Sequence, residues 1–132
     1  MPQTKIFSPI QAAAGSFLGG PLASTIFISQ NFGSMEKSQQ KTNALLIGLL
    51  LTAGLVVLSL NLPENFPGII FTISTIIITR LIVEKQQYTK ESIEENEELA
   101  FHSNWLVFGI GMLSLILMIA VIFSLIFALE IA

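Results

Sequence analysis

The sequence contains no cysteine and no aspartate, and it has a single histidine. Disulfides, thiolate metal sites, cysteine nucleophiles and palmitoylated cysteines are therefore excluded. Charged residues make up only 11% of the 132 residues, whereas an average soluble domain carries roughly 25%. A soluble fold of this size buries only about two-thirds of its surface and needs polar side chains to cover the rest. The composition excludes an ordinary soluble globule, a disordered chain and a nucleic-acid binder.

Apolar residues are abundant instead, at 52% of the chain, and the mean hydropathy is +0.75. We predict an all-α fold, a single membrane domain over residues 1–132 built as a bundle of four transmembrane helices. The predicted helices cover about residues 9–31, 43–61, 67–90 and 104–130. Each approaches the ~20 residues that cross a hydrocarbon core of ~30 Å. Strands are excluded because four or so spans cannot close a barrel in lipid.

A charged connector at residues 84–104 separates the last two segments, and six of the nine glutamates lie between Glu84 and Glu98. We expect it to prolong the third helix and then to form a short second helix from about Ser92 to Phe101. Charges at this density do not enter lipid, so the connector forms a short acidic extension that is either a solvated link or a docking site for a basic partner. The candidate docking residues are Glu94, Glu95, Glu97 and Glu98.

Lysine and arginine in short loops mark the cytoplasmic side of a membrane protein. Lysines fall mainly in residues 33–43 and 84–104, so we expect both loops to be cytoplasmic and the C-terminus to be external. If residues 9–31 cross the membrane, the N-terminus is external as well. If they only enter the membrane and return, the N-terminus is cytoplasmic and the later spans keep their orientation.

Small residues recur every four positions along the first segment, in one row that includes Gly15, Gly19 and Ala23 and in a neighbouring row that includes Ser16 and Ser24. Small side chains let helices approach closely in lipid. This face therefore packs against the chain's own later segments, against another chain or a second copy, or along a substrate or ion path. The packing and kink candidates are Gly15, Gly19, Gly20, Pro21, Ala23 and Ser24.

The run Gly19-Gly20-Pro21 lies inside this face. Proline lacks an N–H and clashes with the carbonyl four residues earlier, so the run predicts a kink or break in the helix. Broken helices at membrane depth sometimes hold ligands, but we favour a structural kink. Gln30 and Asn31 end the segment, where we interpret them as interfacial cap residues.

Residues that could act in catalysis, proton transfer or metal binding are scarce. No acid, lysine or histidine falls in the middle of any predicted span, which argues against secondary active transport. Glu98 and His102 have helical spacing but supply only two ligands, so no metal site is predicted. We expect no catalytic residues, no cofactor and no small-molecule substrate.

The stretch from Phe17 to Ala23, with sequence FLGGPLA, is followed by the pair Asn31-Phe32. It resembles the start of small uncharacterised bacterial integral membrane proteins, which combine such a stretch with an Asn-aromatic pair and three further hydrophobic segments. Ser24 stands where we expect a glycine. The resemblance implies a bacterial inner membrane protein and no particular activity.

Two functional hypotheses follow. The first is a structural or accessory subunit of a membrane assembly, whose partners are the lipid bilayer and other membrane chains or a second copy. The alternative is a small homo-oligomeric channel lined by the polar side of the first segment, at Ser16, Ser24, Thr25 and Ser29. An enzyme ranks below both.

Overall fold

The computed structural model describes residues 3–131, except for the side chain of residue 131. This part of the chain is mostly helical, with five helices and two short strands. They are β1 (Thr4–Ile6), α1 (Pro9–Ser34), α2 (Ser38–Asn61), α3 (Ile69–Gln86), α4 (Lys90–Glu95), β2 (Leu99–Phe101) and α5 (Asn104–Ile131). Three helices, α1, α2 and α5, are long and apolar enough to cross a membrane.

Helix α1 reverses direction at Gly20, whose backbone angles of φ 70° and ψ −157° are not helical. Asn31 near its end forms hydrogen bonds of 2.8 and 2.9 Å with the backbone of Phe7, which precedes its start. A straight helix would hold residues 24 positions apart at a separation of about 36 Å. The α1 segment is therefore a helical hairpin with a first arm, residues 9–19, and a second arm, residues 21–34.

The hairpin corrects the prediction of one crossing helix over residues 9–31. At 1.5 Å per residue the arms are only about 17 Å and 21 Å long, and each is too short for a hydrocarbon core of ~30 Å. Both ends of α1 lie at the same end of the molecule, where Met35 packs against the cluster that contains Ile6. The structure therefore has a segment that reverses direction at Gly20 in place of one straight helix.

The hairpin is the centre of the fold, because every extensive contact between long helices involves α1. The first arm packs against α5, where Gly15 lies close to Val107. The second arm lies between α2 and α3, with Thr25 against Gly48 and Ser24 against Thr79. Of the three candidate spans, α1 is the least apolar and is enclosed by the other helices. Helices α2 and α5 are more apolar and present large exposed surfaces.

A small cap covers the end of the bundle at which α1 begins and ends. Strand β1 pairs in parallel with β2, with Thr4 opposite Leu99 and Ile6 opposite Phe101. Ile6, Leu99 and Ile93 of α4 form a buried apolar cluster. The cap therefore has a hydrophobic core of its own, separate from the core of the bundle.

The connector differs from its prediction in two ways. Helix α3 ends at Gln86, not near residue 90. The expected short second helix is present, but it covers Lys90–Glu95 rather than Ser92 to Phe101. Thr89, rather than Ser92, is the N-cap, because its hydroxyl accepts a hydrogen bond from the Ser92 N–H. Residues 99–101 are extended because they pair with β1, a partner more than 90 positions earlier that no local pattern reveals.

Candidate functional site

The tip of the hairpin combines the two residue types that favour a reversal. The φ of 70° at Gly20 lies in the left-handed region, which costs a residue with a Cβ roughly 1–2 kcal/mol. Pro21 follows at the start of the second arm, where its missing N–H leaves no internal donor unsatisfied. The predicted break is thus present, at Gly20.

The small residues of the first segment pack inside the chain. A Cβ on Gly15 would overlap the ring of Phe27 on the second arm. A Cβ on Gly19 would lie 2.7 Å from the Gly111 carbonyl oxygen and 2.8 Å from Cβ of Ser114, both on α5. Ala12 and Ala23 are fully buried. Of the three interpretations of this face, packing against the chain's own segments is the one that the structure supports.

The four hydroxyl side chains predicted to line a channel all form hydrogen bonds within the chain. Ser16 donates to the Ala12 carbonyl at 2.7 Å, and Thr25 donates to the Pro21 carbonyl at 2.8 Å. Ser29 donates to the Ile26 carbonyl. Ser24 is different, because its hydroxyl meets that of Thr79 at 2.5 Å and so joins the second arm to α3.

Asn31 is a fully buried polar centre rather than an interfacial cap residue. Its amide bonds both backbone groups of Phe7 and donates to the Gln87 Oε1 at 2.8 Å. Gln87 in turn donates to the Ile28 carbonyl at 2.9 Å. Sequence reasoning missed this network, because the only signal is a lone asparagine at the end of an apolar segment.

The glutamates of the connector lie on the surface of the cap. Glu94, Glu95, Glu97 and Glu98 are all exposed. Among the described residues, the ion pairs are Lys90–Glu94 at 3.9 Å and Arg80–Glu84 at 3.0 Å. Glu84 is half-buried, and the other three side chains are exposed. Exposed pairs of this kind contribute little to stability, so most of the acidic charge stays available to a partner.

An apolar groove of about 450 Å³ runs between α2 and α3, with the second arm of the hairpin as its floor. Apolar side chains such as Ile47, Leu51 and Ile78 form most of its wall, and Gln40 and Gln86 lie at the end nearest the cap. A smaller cavity of about 150 Å³ lies at the hairpin tip, beside Gly20 and Pro21. The α2–α3 groove has the size and lining of a candidate ligand site, since such sites are typically apolar clefts of ~300–1,000 Å³ with a few polar groups.

Residues 3–131 offer few groups for metal binding or catalysis. Within residues 3–131, no three histidine or glutamate side chains lie close enough together to hold a metal ion. Ser114 is fully buried, and its hydroxyl has no hydrogen-bond partner among the described residues.

We compared the chain with protein-family models, with curated proteins and with solved structures, and none of them matched.

Proposed function

We propose that the chain is a small multi-pass protein of a bacterial inner membrane, in which α2, α3 and α5 cross the bilayer and α1 enters it and returns. The length of the arms supports a re-entrant α1. Helix α3 is about 27 Å long. Its only charges are Arg80, Glu84 and Lys85 in its last two turns, close enough to the interface for the long basic side chains to reach water. The bacterial origin rests on the sequence resemblance.

The placement of basic residues supports a cytoplasmic cap. With a re-entrant α1, all six lysine and arginine residues lie at or near the cap end of the molecule. They are Lys5, Lys37, Lys41, Arg80, Lys85 and Lys90. The opposite end, which comprises the α2–α3 loop and the end of α5, has glutamates but no basic residue. This asymmetry is more complete than the one expected for four crossings, because Lys5 now joins the positive side.

Within the membrane, we propose that the protein acts as an accessory subunit that packs against other membrane chains or against a second copy. The observation that carries this proposal is the uncovered half of α5. Its buried residues are Val107, Gly111 and Ser114, and no residue from Leu115 to Glu130 is buried. Beyond the hairpin tip the three crossing helices have no central element to pack on, so a partner helix would gain van der Waals contacts there.

The partner surface is not the one that the small residues suggested. Gly15 and Gly19 are already covered within the chain. The exposed faces of α2 and α5 and the glutamates of the cap are the surfaces available. The alternative of a homo-oligomeric channel draws no support from Ser16, Thr25 and Ser29, because these side chains are buried and bonded to backbone carbonyls.

Affinity purification in a mild detergent tests the accessory role. We expect another membrane chain, or a second copy, to purify with the protein in a fixed ratio. Changing Glu94, Glu95, Glu97 and Glu98 to Gln should weaken retention of a basic partner and reduce its sensitivity to salt. Glu64→Gln in the α2–α3 loop is the matched control and should change neither. A protein that runs alone as a monomer in several mild detergents and in lipid nanodiscs would contradict the proposal.

A further inference from the structure

The α2–α3 groove is a void that the chain itself leaves open. The second arm of the hairpin holds the two helices apart, with Thr25 against Gly48 of α2 and Ser24 bonded to Thr79 of α3. Both helices present apolar side chains to the gap, among them Ile47 and Ile78, which are 58% and 56% exposed. At membrane depth such a gap is filled by hydrocarbon, because an empty void loses the contacts of every atom that lines it.

The length of the groove matches one leaflet. Its lining on α2 extends from Gln40 to Leu55, which is about 22 Å along a helix. Half of a bilayer, headgroups included, is also about 20–22 Å thick.

Polar and cationic groups gather at the cap end of the groove. Gln40, Asn43 and Gln86 supply amide donors there. The stem of Lys41 lies over Gly33, so that its Nζ is 3.2 Å from the position of a Cβ on that glycine. Among the described residues, Lys41 makes no ion pair within 4.0 Å.

Other charged groups of both signs lie at this end of the molecule. Lys37 and Lys85 lie near the same end, while Arg80 and Glu84 pair with each other. Glu36 is the remaining acid in the α1–α2 turn. The glutamates of the cap lie at the same end of the molecule, so the positive charge beside the groove is that of Lys41. Together with the neutral donors of Gln40, Asn43 and Gln86, this lysine offers the combination that a phosphate group prefers.

We infer that the α2–α3 groove binds one anionic glycerophospholipid of the cytoplasmic leaflet, with an acyl chain along the second arm of the hairpin and the phosphate at Lys41, Gln40 and Asn43. This inference rests on the proposed placement of the chain in a membrane, but it does not require a protein partner. Failure of the accessory role would therefore leave it standing, and the experiment below is done on the purified protein so that the two are tested separately.

Native mass spectrometry in a maltoside detergent is the test, with palmitoyl-oleoyl phosphatidylglycerol and phosphatidylcholine as probes. We expect one molecule of phosphatidylglycerol to bind at least ten times more tightly than phosphatidylcholine with the same chains. Ile78→Trp places an indole in the groove and should weaken binding tenfold or more. Ile77→Trp is the matched control, because Ile77 is equally exposed on α3 but does not line the groove, and it should bind like the parent.

Lys41→Gln should remove most of the preference for phosphatidylglycerol while the acyl chain still binds, and Lys90→Gln on the cap should leave the preference unchanged. Thermal unfolding of each variant shows whether it is folded. Equal binding of the two lipids by the parent, or equal losses in Ile78→Trp and Ile77→Trp, would overturn the inference. So would a partner protein that Ile78→Trp releases while lipid binding is unaffected.

Discussion

The imidazole of His102 lies almost flat on the ring of Phe7, with the ring centroids 4.0 Å apart and the planes inclined by 23°. The stack joins the segment before α1 to the segment before α5. Two hydrogen bonds support it, because the His102 N–H donates to the Ile6 carbonyl and the Gln11 side chain donates to the His102 carbonyl. Burial and the positive charge of Lys5 lower the pKa of His102 below its ordinary value.

This stack should make the stability of the cap depend on pH. The unfolded chain takes up a proton near the ordinary histidine pKa of about 6.5, whereas the folded chain resists protonation until a lower pH. Stability is therefore complete above that pKa and falls as the pH drops towards the folded value. The midpoint of thermal unfolding in detergent should be lower at about pH 5.5 than at about pH 7.5.

His102→Phe keeps a ring on Phe7 but removes the titration, so its midpoint should depend less on pH than that of the parent. Lys5→Gln removes the nearby charge and should give an intermediate dependence. An equal dependence in the parent and in His102→Phe would show that other groups cause the effect.

Asn31→Leu should destabilise the closed hairpin. The change leaves the N–H and the carbonyl of Phe7 without their partner, and an unsatisfied buried group costs about 1–3 kcal/mol. We expect a lower unfolding midpoint and faster proteolysis near the start of α1. Gln30→Leu is the control, because Gln30 is the exposed neighbour and its change should alter stability by no more than about 0.5 kcal/mol. Equal stability of the two variants would contradict the role of Asn31.

Gly19→Ala should cost about 1–3 kcal/mol of stability, as overpacked cores do. The added methyl group meets the backbone carbonyl of Gly111, which a rotamer change cannot move aside. Gly109→Ala is matched to it, because a Cβ there meets no described atom within 4 Å. Gly109→Ala should leave stability unchanged or raise it slightly, since alanine is a better helix former than glycine. Thermal unfolding of both variants in one detergent measures the difference.

Cysteine labelling separates a re-entrant α1 from a crossing one, and the chain has no native cysteine to interfere. In intact cells, an impermeant maleimide should label Glu64→Cys and Glu130→Cys. It should label Gln3→Cys and Glu94→Cys only after the membrane is opened. Labelling of Gln3→Cys in intact cells would mean that α1 crosses the membrane, against the hydrogen bonds of Asn31.

The apolar segments and the break in α1 could be predicted from sequence, because both depend on local chemistry. Long uncharged runs predict where the helices lie, and a proline after two glycines predicts where the break lies. The angle of the break could not be predicted. It depends on contacts such as those of Asn31 with Phe7 and of Gly15 with Phe27, which join positions far apart in the chain.

The candidate site was missed for a similar reason. The groove exists because the second arm separates α2 from α3. A straight first helix would not predict this separation. The strand at residues 99–101 likewise has no alternating pattern of its own. The sequence predicted a helix from about Ser92 to Phe101, whereas the pairing with Thr4–Ile6 decides the conformation of residues 99–101.

The pairing of β1 with β2 also means that the cap can close only late in synthesis. Strand β1 leaves the ribosome first, but its partner follows about 95 residues later, a delay of roughly 5–20 s at ~5–20 residues per second. During that time α2 and α3 have been synthesised, while β1 has no strand to pair with. Closure of the cap therefore waits until α2 and α3 have been synthesised, and it joins residues far apart in the chain, which is typical of slow folding steps.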